Sequence, residues 1–141
     1  MISASQKKLV NSLSQKKFRT EHNLFVVEDA CEALGSRYKN QNCGTVGDMG
    51  CFSFFVSHSI TTGEGGMVVT KNRELAARAR KFRNHGMEKK PEEGGWYYEI
   101  AEPGFNWRLT DIQAALGLSQ LRKLNTFLRR RRELARNYDK M

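Results

Sequence analysis

The chain has 141 residues and a formal net charge of +9 at pH 7, and this length suits a single domain that can bury a core. No apolar run approaches the roughly 20 residues that span a bilayer, and the amino-terminal residues lack the apolar core of a secretory signal. We therefore expect a soluble cytoplasmic protein without a membrane partner. The three cysteines form no Cys-x-x-Cys pair, which argues against a disulfide framework and against a zinc or iron–sulfur site.

The positive charge is concentrated in two places. Much of the excess lies in residues 7–19 and in the run Arg129–Arg132, and both segments fall on predicted helices whose exposed faces would be polar in any case. No known nucleic-acid-binding motif and no alternation of basic and aromatic residues accompanies the charge. We therefore expect no nucleic-acid partner, and a basic interaction module remains an alternative interpretation.

The first third of the chain predicts a helix, a strand, a turn and a loop. Residues 1–20 have weak helical spacing, and the apolar run at 24–27 predicts a strand buried on both faces, with polar residues at its carboxyl end. Residues 30–34 favour a helical turn that Gly35 closes. The many turn-forming residues between 36 and 50 predict a loop.

Two further strands are predicted at 51–56 and 67–70, joined by a glycine-rich hairpin at 60–66. An amphipathic helix is predicted at 73–82. The stretch 84–105 contains both prolines and several glycines, and it predicts a long functional loop.

A long carboxy-terminal helix is predicted at 118–138, after the potential capping residues Thr110 and Asp111. Its apolar stripe steps at helical spacing and consists of Ala114, Leu118, Leu121, Leu124 and Leu128. Alternating helices and strands indicate an α/β fold with a partial mixed sheet and flanking helices. Because sheets usually contain about five or six strands and only three are predicted here, residues 1–141 are expected to form a single partial domain.

Four segments together resemble the DegT/DnrJ/StrS family of pyridoxal-phosphate (PLP) sugar aminotransferases. They are the strand-end aspartate Asp29, the Phe-Ser-Phe strand at 52–54, Thr-Thr-Gly-Glu-Gly-Gly at 61–66, and Gly-Phe-Asn-Trp-Arg at 104–108 before a helix. The resemblance covers about residues 20–138, while residues 1–20 match poorly. Family members are much longer. The resemblance therefore implies a central fragment of the large domain of a fold-type I PLP-dependent transferase, which alone would lack half of its site and be inactive.

The position at which the family carries its cofactor-binding lysine holds His58. A lysine amine can condense with the aldehyde of PLP, whereas an imidazole forms no stable imine but can move protons near neutral pH. The resemblance is therefore strongest to a small branch of nucleotide-sugar 3-dehydratases, which bind pyridoxamine phosphate (PMP) without a covalent link and act on a nucleotide-linked 4-keto-6-deoxysugar. That branch usually has a second histidine where this chain has Ser59. A sugar aminotransferase homologue that is an inactive remnant is the alternative, and polysaccharide biosynthesis is the implied setting.

The resemblance also implies cofactor contacts. Asp29 would face the pyridine nitrogen, Ser53 would bind the phosphate, and Glu32 would lie near the phenolic oxygen, where related enzymes often have glutamine or histidine. Asn106 would reach the phosphate of the neighbouring subunit's cofactor in a homodimer. The guanidinium group of Arg108 could bind the same anion through its charged N–H donors. Each residue also has a purely structural interpretation: a helix cap for Asp29, a solvated side chain for Glu32, an ordinary strand serine for Ser53, and a polar turn for the last two.

Overall fold

The structure is a computed structural model that describes residues 16–141. In chain order, the elements are α1 (Lys16–Glu21), β1 (Val27–Asp29), β2 (Arg37–Tyr38), β3 (Gln41–Asn42), β4 (Met49–Ser53), β5 (Gly66–Thr70), α2 (Arg73–Phe82), β6 (Met87–Lys89), a short 3₁₀ helix (Pro91–Glu93), β7 (Tyr98–Ile100) and α3 (Asp111–Tyr138). The predicted α/β class with a partial sheet is confirmed. Most of the helix predicted at 1–20 lies outside the described residues.

The chain divides into two compact units. Of the described residues, 16–69 and 111–141 form what we call the sheet unit, and residues 70–110 form the hairpin unit. The main sheet has the order β1-β4-β5. β1 runs parallel to β4, with Asp29 opposite Cys51. Because parallel strands end at the same edge of a sheet, Asp29 and the residues that follow Ser53 leave the sheet on the same side, where α/β folds commonly bind ligands.

The prediction that the first strand is buried on both faces is wrong. Val27 of β1 is 55% exposed, and Met67 and Val68 of β5 are about half exposed. In a three-stranded sheet both outer strands are edges, and among the described residues no layer covers these apolar side chains. The buried apolar residues of the described chain are few, namely Ala30, Cys43, Phe54 and Ile60.

The segment after β1 forms turns and a small hairpin, where a helical turn and a loop were predicted. The Ala33 N–H donates to the Ala30 carbonyl at 2.9 Å, but no helix follows, because so short a segment cannot offset the cost of helix nucleation. Gly35 does adopt the expected positive φ, at 79°. β2 and β3 pair across Lys39 and Asn40, whose φ angles are 44° and 64°, as in the tight turns that suit two-residue hairpins.

The hairpin unit contains more regular structure than the predicted loop at 84–105. α2 forms as predicted, and the Asn72 side chain caps it by accepting hydrogen bonds from the Glu74 and Leu75 N–H groups. β6 and β7 then form an antiparallel pair, with Met87 opposite Ile100. These strands have three residues each, and Pro91 and the two glycines between the strands make the segment resemble a loop in the sequence.

α3 is longer than predicted, and only part of its predicted apolar stripe is packed. It begins at Asp111, next to the predicted capping position, rather than at residue 118. Leu118 and Leu121, which belong to the predicted apolar stripe, are 61% and 50% exposed. Ala114, Leu124 and Leu128 of the same stripe are partly buried, so only part of the stripe faces away from the described sheet unit.

The packed face of α3 includes partly buried residues that lie one position before three of the stripe's leucines, as well as Leu124 itself. A methyl group added at Gly117 would lie 2.9 Å from Thr62 Cγ2, so the helix backbone passes close to the segment after β4. One turn earlier, the Gln113 side-chain amide donates to the Glu64 carbonyl at 2.9 Å. α3 therefore holds the connection between β4 and β5 in place.

Within residues 16–141, no helix combines the length and the apolarity that a membrane crossing requires. The same described residues contain no group of three or more side chains suited to holding a metal ion.

Candidate functional site

The end of β1 presents two carboxylates on opposite faces, because successive side chains of a strand alternate. The Asp29 carboxylate accepts a hydrogen bond from the Cys31 N–H at 3.1 Å. Cys31, through its thiol and its backbone N–H, holds the pKa of the Asp29 carboxyl below its ordinary value, and the nearby His58 imidazole lowers that pKa further. Asp29 is thus an exposed anion at the end of the strand and lies close to His58.

Glu28, on the other face, is an anchor that the sequence analysis did not single out. Its carboxylate accepts hydrogen bonds from the backbone N–H groups of Gly44 at 2.8 Å, Val46 at 2.5 Å and Gly47 at 2.6 Å. These bonds fix the segment before β4 against β1. The alternation of Glu28 and Asp29 could have indicated that only one of them faces the site.

Residues 54–62, which we call the His58 loop, leave the carboxyl end of β4 and are tied down at both ends. The Phe54 N–H donates to the Gly65 carbonyl at 2.8 Å, and the Thr62 N–H donates to the Phe54 carbonyl at 2.9 Å. Ser59, Ile60 and Thr62 are buried. Hydrogen bonds at both ends and three buried side chains therefore hold the loop against the sheet unit.

The His58 side chain is largely buried, with 14% of its surface exposed, and its Nδ1 lies 2.8 Å from Glu32 Oε1. Its ring meets the Phe55 ring edge to face, with 6.1 Å between the centroids. The Arg131 guanidinium of α3 donates to the His58 carbonyl at 2.8 Å. The structure thus brings Asp29, Glu32 and His58 together.

A cavity of about 300 Å³ lies between the His58 loop and α3. His58 lines it from the loop, and Gln120, Phe127, Arg130 and Arg131 line it from the helix. Asp29 and Ser53 are not among its lining residues. The cavity therefore reaches one side of the imidazole, while Asp29 and Glu32 lie on another.

Arg131 is the second residue that the sequence analysis missed. It was interpreted as part of a solvated basic run, but it lies on the same helical face as Gly117, Gln120, Leu124 and Phe127, which step by three and four residues. Plotting the helix positions of the basic run would have shown that Arg131 falls on this face.

Ser53 ends β4 with its side chain beside the start of the His58 loop. Its Oγ accepts a hydrogen bond from the Phe55 N–H at 3.2 Å. The hydroxyl hydrogen can still donate to an anion. Ser53 is therefore compatible both with the predicted phosphate contact and with a structural role at the strand end.

Asn106 and Arg108 belong to the hairpin unit. Both are exposed, and the Arg108 guanidinium donates to the Asn84 side-chain carbonyl at 2.8 Å. Between them, the Trp107 ring stacks on the Phe105 ring, with 4.1 Å between the centroids. The stack keeps the two polar side chains apart from the apolar part of the segment.

A family comparison matches residues 11–141 to the DegT/DnrJ/EryC1/StrS aminotransferase family. The chain belongs to this family. It is 45% identical over 118 residues to the GDP-perosamine synthase of Escherichia coli O157:H7, and the match covers 84% of this chain and 31% of that protein.

Solved structures agree with this assignment. Helicobacter pylori PseC, an aminotransferase involved in the biosynthesis of pseudoaminic acid, is 42% identical and superposes with a TM-score of 0.83 over 88% of this chain and 33% of that one. Streptococcus pneumoniae Spr1654 in its PMP form is 33% identical, with a TM-score of 0.78 over 89% of this chain and 34% of that one. The aminotransferases of this family use PLP, and Spr1654 has also been solved in a PLP form.

The chain spans about a third of the length of the relatives that it matches. The resemblance to the sugar aminotransferase family is confirmed, as is the expected likeness to part of a PLP-dependent transferase. The named relatives are described as a synthase and an aminotransferase, and their names do not support the narrower 3-dehydratase interpretation.

Proposed function

We propose that this chain contributes part of the PLP- or PMP-binding site of an enzyme that acts on nucleotide-linked sugars, and that His58 moves protons in that site. The observation that carries the proposal is that Asp29 and His58 lie close together at one edge of the sheet. There, Asp29 would act as the anion and His58 as the proton acceptor for the same cofactor. The remaining contacts that the family resemblance implies are part of the proposal.

The donor set fits the cofactor. When bound, PLP or PMP supplies an electron sink for charge that develops next to its nitrogen. Asp29 would hold the pyridine nitrogen protonated, and the lowered pKa of its carboxyl keeps it anionic for that task. Ser53 would donate its hydroxyl hydrogen to the phosphate. Asn106 and Arg108 would bind the phosphate in a neighbouring subunit of a homodimer.

His58 would act as a base, since an imidazole cannot hold the cofactor covalently. A neutral ring accepts a proton at one nitrogen, and we assign this role to Nε2. Within the sugar-modifying class, the finer proposal is a 3-dehydratase-like reaction on a 4-keto-6-deoxysugar. In such a reaction His58 would accept and move a proton, and the sugar would lose its 3-hydroxyl group together with a proton as one water. Transamination remains the rival within the class, as the family's name favours it.

Cofactor binding by the 141-residue chain tests the proposal. A ligand that binds only the folded state stabilises it by about 2.7 kcal/mol at one hundred times Kd, so the melting temperature should rise by roughly 5 °C or more with saturating PMP. Asp29→Asn should abolish this rise, whereas the exposed Asp139→Asn should retain it. A wild-type chain that PMP does not stabilise would refute the proposal, and so would equal stabilisation of the Asp29→Asn variant.

The placement of residue 58 has its own test. His58→Lys restores an amine that can condense with PLP, so the variant should gain a new absorption band and, after borohydride reduction, a cofactor mass on the peptide that contains residue 58. The wild-type chain treated in the same way should gain neither. If the lysine variant stays unmodified while it binds PLP, residue 58 does not face the cofactor aldehyde.

A further inference from the structure

We propose that Glu32 is a positioning residue for His58. Its carboxylate sets the tautomer of the imidazole by keeping the hydrogen on Nδ1, which leaves Nε2 unprotonated and able to accept a proton. The use of Nε2 as a base depends on the proposed function. The tautomer itself does not, because it follows from contacts within the chain.

The first argument is the contact. Glu32 Oε1 lies 2.8 Å from His58 Nδ1, and Nδ1 is buried without an aligned hydrogen-bond partner in the described part of the chain. The two atoms are thus at ion-pair distance, but the N–H direction misses the oxygen. The Glu32 side chain is 61% exposed, so a small rotation could bring its carboxylate into line with Nδ1.

The second argument is the chemistry of the pair. A neutral imidazole has one nitrogen that donates and one that accepts, while an ionised carboxylate only accepts. A buried lone pair on Nδ1 that faced the Glu32 oxygen would be repelled and would lack a donor. A hydrogen on Nδ1 satisfies both groups.

The third argument is the fixed orientation of the ring. The Phe55 ring packs against the imidazole, and Arg131 of α3 holds the carbonyl of the same residue at 2.8 Å. Arg130 and Arg131 supply the positive charges in the cavity beside His58. With the backbone held and the Phe55 ring against it, the imidazole keeps Nδ1 toward Glu32, as in sites where a second group orients a catalytic histidine.

The tautomer can be measured directly in the 141-residue chain labelled with ¹⁵N-histidine. Long-range ¹H–¹⁵N spectra, recorded at a pH where the imidazoles are neutral, distinguish a protonated ring nitrogen from an unprotonated one. We expect His58 to carry its hydrogen on Nδ1. His22 and His85 provide internal references that the substitutions should leave unchanged.

Three variants separate positioning from a structural role. Glu32→Ala should return His58 to the Nε2–H form that histidine prefers in water. Glu32→Gln should retain the Nδ1–H form in part, since its amide oxygen can still accept from Nδ1. Glu64→Ala removes an exposed glutamate elsewhere in the sheet unit and should leave the His58 signals unchanged.

Two results would overturn the inference: an Nε2–H imidazole in the wild-type chain, or an unchanged tautomer in Glu32→Ala. Neither result depends on PMP. A chain that fails to bind PMP but has the expected tautomers would refute the proposed function and leave the role of Glu32 standing. A chain that binds PMP but lacks the expected tautomers would refute the role of Glu32 and leave the proposed function standing.

Discussion

Replacing Glu28 tests the local architecture that places Asp29 and the His58 loop at one edge of the sheet. Glu28→Ala removes the acceptor of three backbone hydrogen bonds, those from Gly44, Val46 and Gly47. Glu28→Gln retains one carbonyl oxygen at the same place but loses the charge. The two variants therefore separate the loss of the acceptor from the loss of its charge.

The expected cost follows from those three bonds. A hydrogen bond to a charged group contributes about 1.5–3 kcal/mol, and a buried donor left without a partner costs about 1–3 kcal/mol. Gly44 is buried, while Val46 and Gly47 are partly exposed, so water can take over part of their hydrogen bonding. We expect Glu28→Ala to lower the free energy of unfolding by about 3 kcal/mol and Glu28→Gln by about 1.5 kcal/mol.

Urea denaturation measures the total loss of stability, and amide hydrogen exchange shows which part of the chain loses protection. The amides of Gly44, Val46 and Gly47 should lose protection in both variants, more strongly in Glu28→Ala. Glu93→Ala removes an exposed glutamate and should stay within about 0.5 kcal/mol of the wild type. A Glu28→Ala variant as stable as this control, or one with unchanged exchange at the three amides, would show that Glu28 does not anchor the segment before β4.

Two further predictions concern the thiol beside Asp29 and the close approach of two backbone segments. Burial, followed by the hydrogen bond to Asp29, raises the pKa of the Cys31 thiol to about 11. At pH 8 only about one in a thousand of these thiols is ionised, so Cys31 should react with iodoacetamide about a hundredfold more slowly than free cysteine. Asp29→Asn should accelerate the reaction, and equal rates in mass-spectrometric assays would contradict this reasoning. Gly50→Ala would place a methyl group against the Gly44 carbonyl oxygen, closer than van der Waals contact allows, and should cost about 3 kcal/mol. Gly95→Ala instead points into open space and should be almost neutral in the same urea titration.

The sequence predicted those elements whose signals are local. α2 has a capping asparagine and a clear apolar face, and it forms at the predicted residues. The glycine-rich connection between β4 and β5 forms a turn for the same reason, since its glycines allow backbone angles that other residues resist. These features depend on a few neighbouring residues and not on the rest of the fold.

The features that the sequence did not predict depend on contacts between distant segments. β1 was expected to be buried because it is apolar, yet burial requires neighbouring layers, and among the described residues β1 pairs with β4 alone. The packed face of α3 is set by the approach of Gly117 to Thr62 and not by the number of leucines along the helix. Arg131 falls on that face, and its hydrogen bond to the His58 carbonyl spans 73 positions of the sequence.

The site itself was predicted as a set of residues but not as a geometry. The family resemblance selected Asp29, Glu32 and His58, and the structure brings them together. The expectation that Glu32 lies beside the phenolic oxygen stays a prediction, since the contact that the structure provides is with His58 Nδ1. A pattern of residue types could not distinguish these partners, because a glutamate side chain can reach in several directions from one turn.

This contact relates two features that the proposed correspondence with the family treats as departures from its pattern. In that correspondence Glu32 stands where related enzymes often have glutamine or histidine, and a glutamate beside a phenolate would suffer repulsion between like charges. His58 stands in place of a lysine in the same correspondence, and its imidazole needs an acceptor for one buried N–H. The two substituted side chains lie 2.8 Å apart, and each supplies what the other lacks. If the pair acts as a unit, Glu32→Gln combined with His58→Lys should bind PLP covalently more readily than His58→Lys alone, because the carboxylate would otherwise hold the lysine amine protonated and unable to condense.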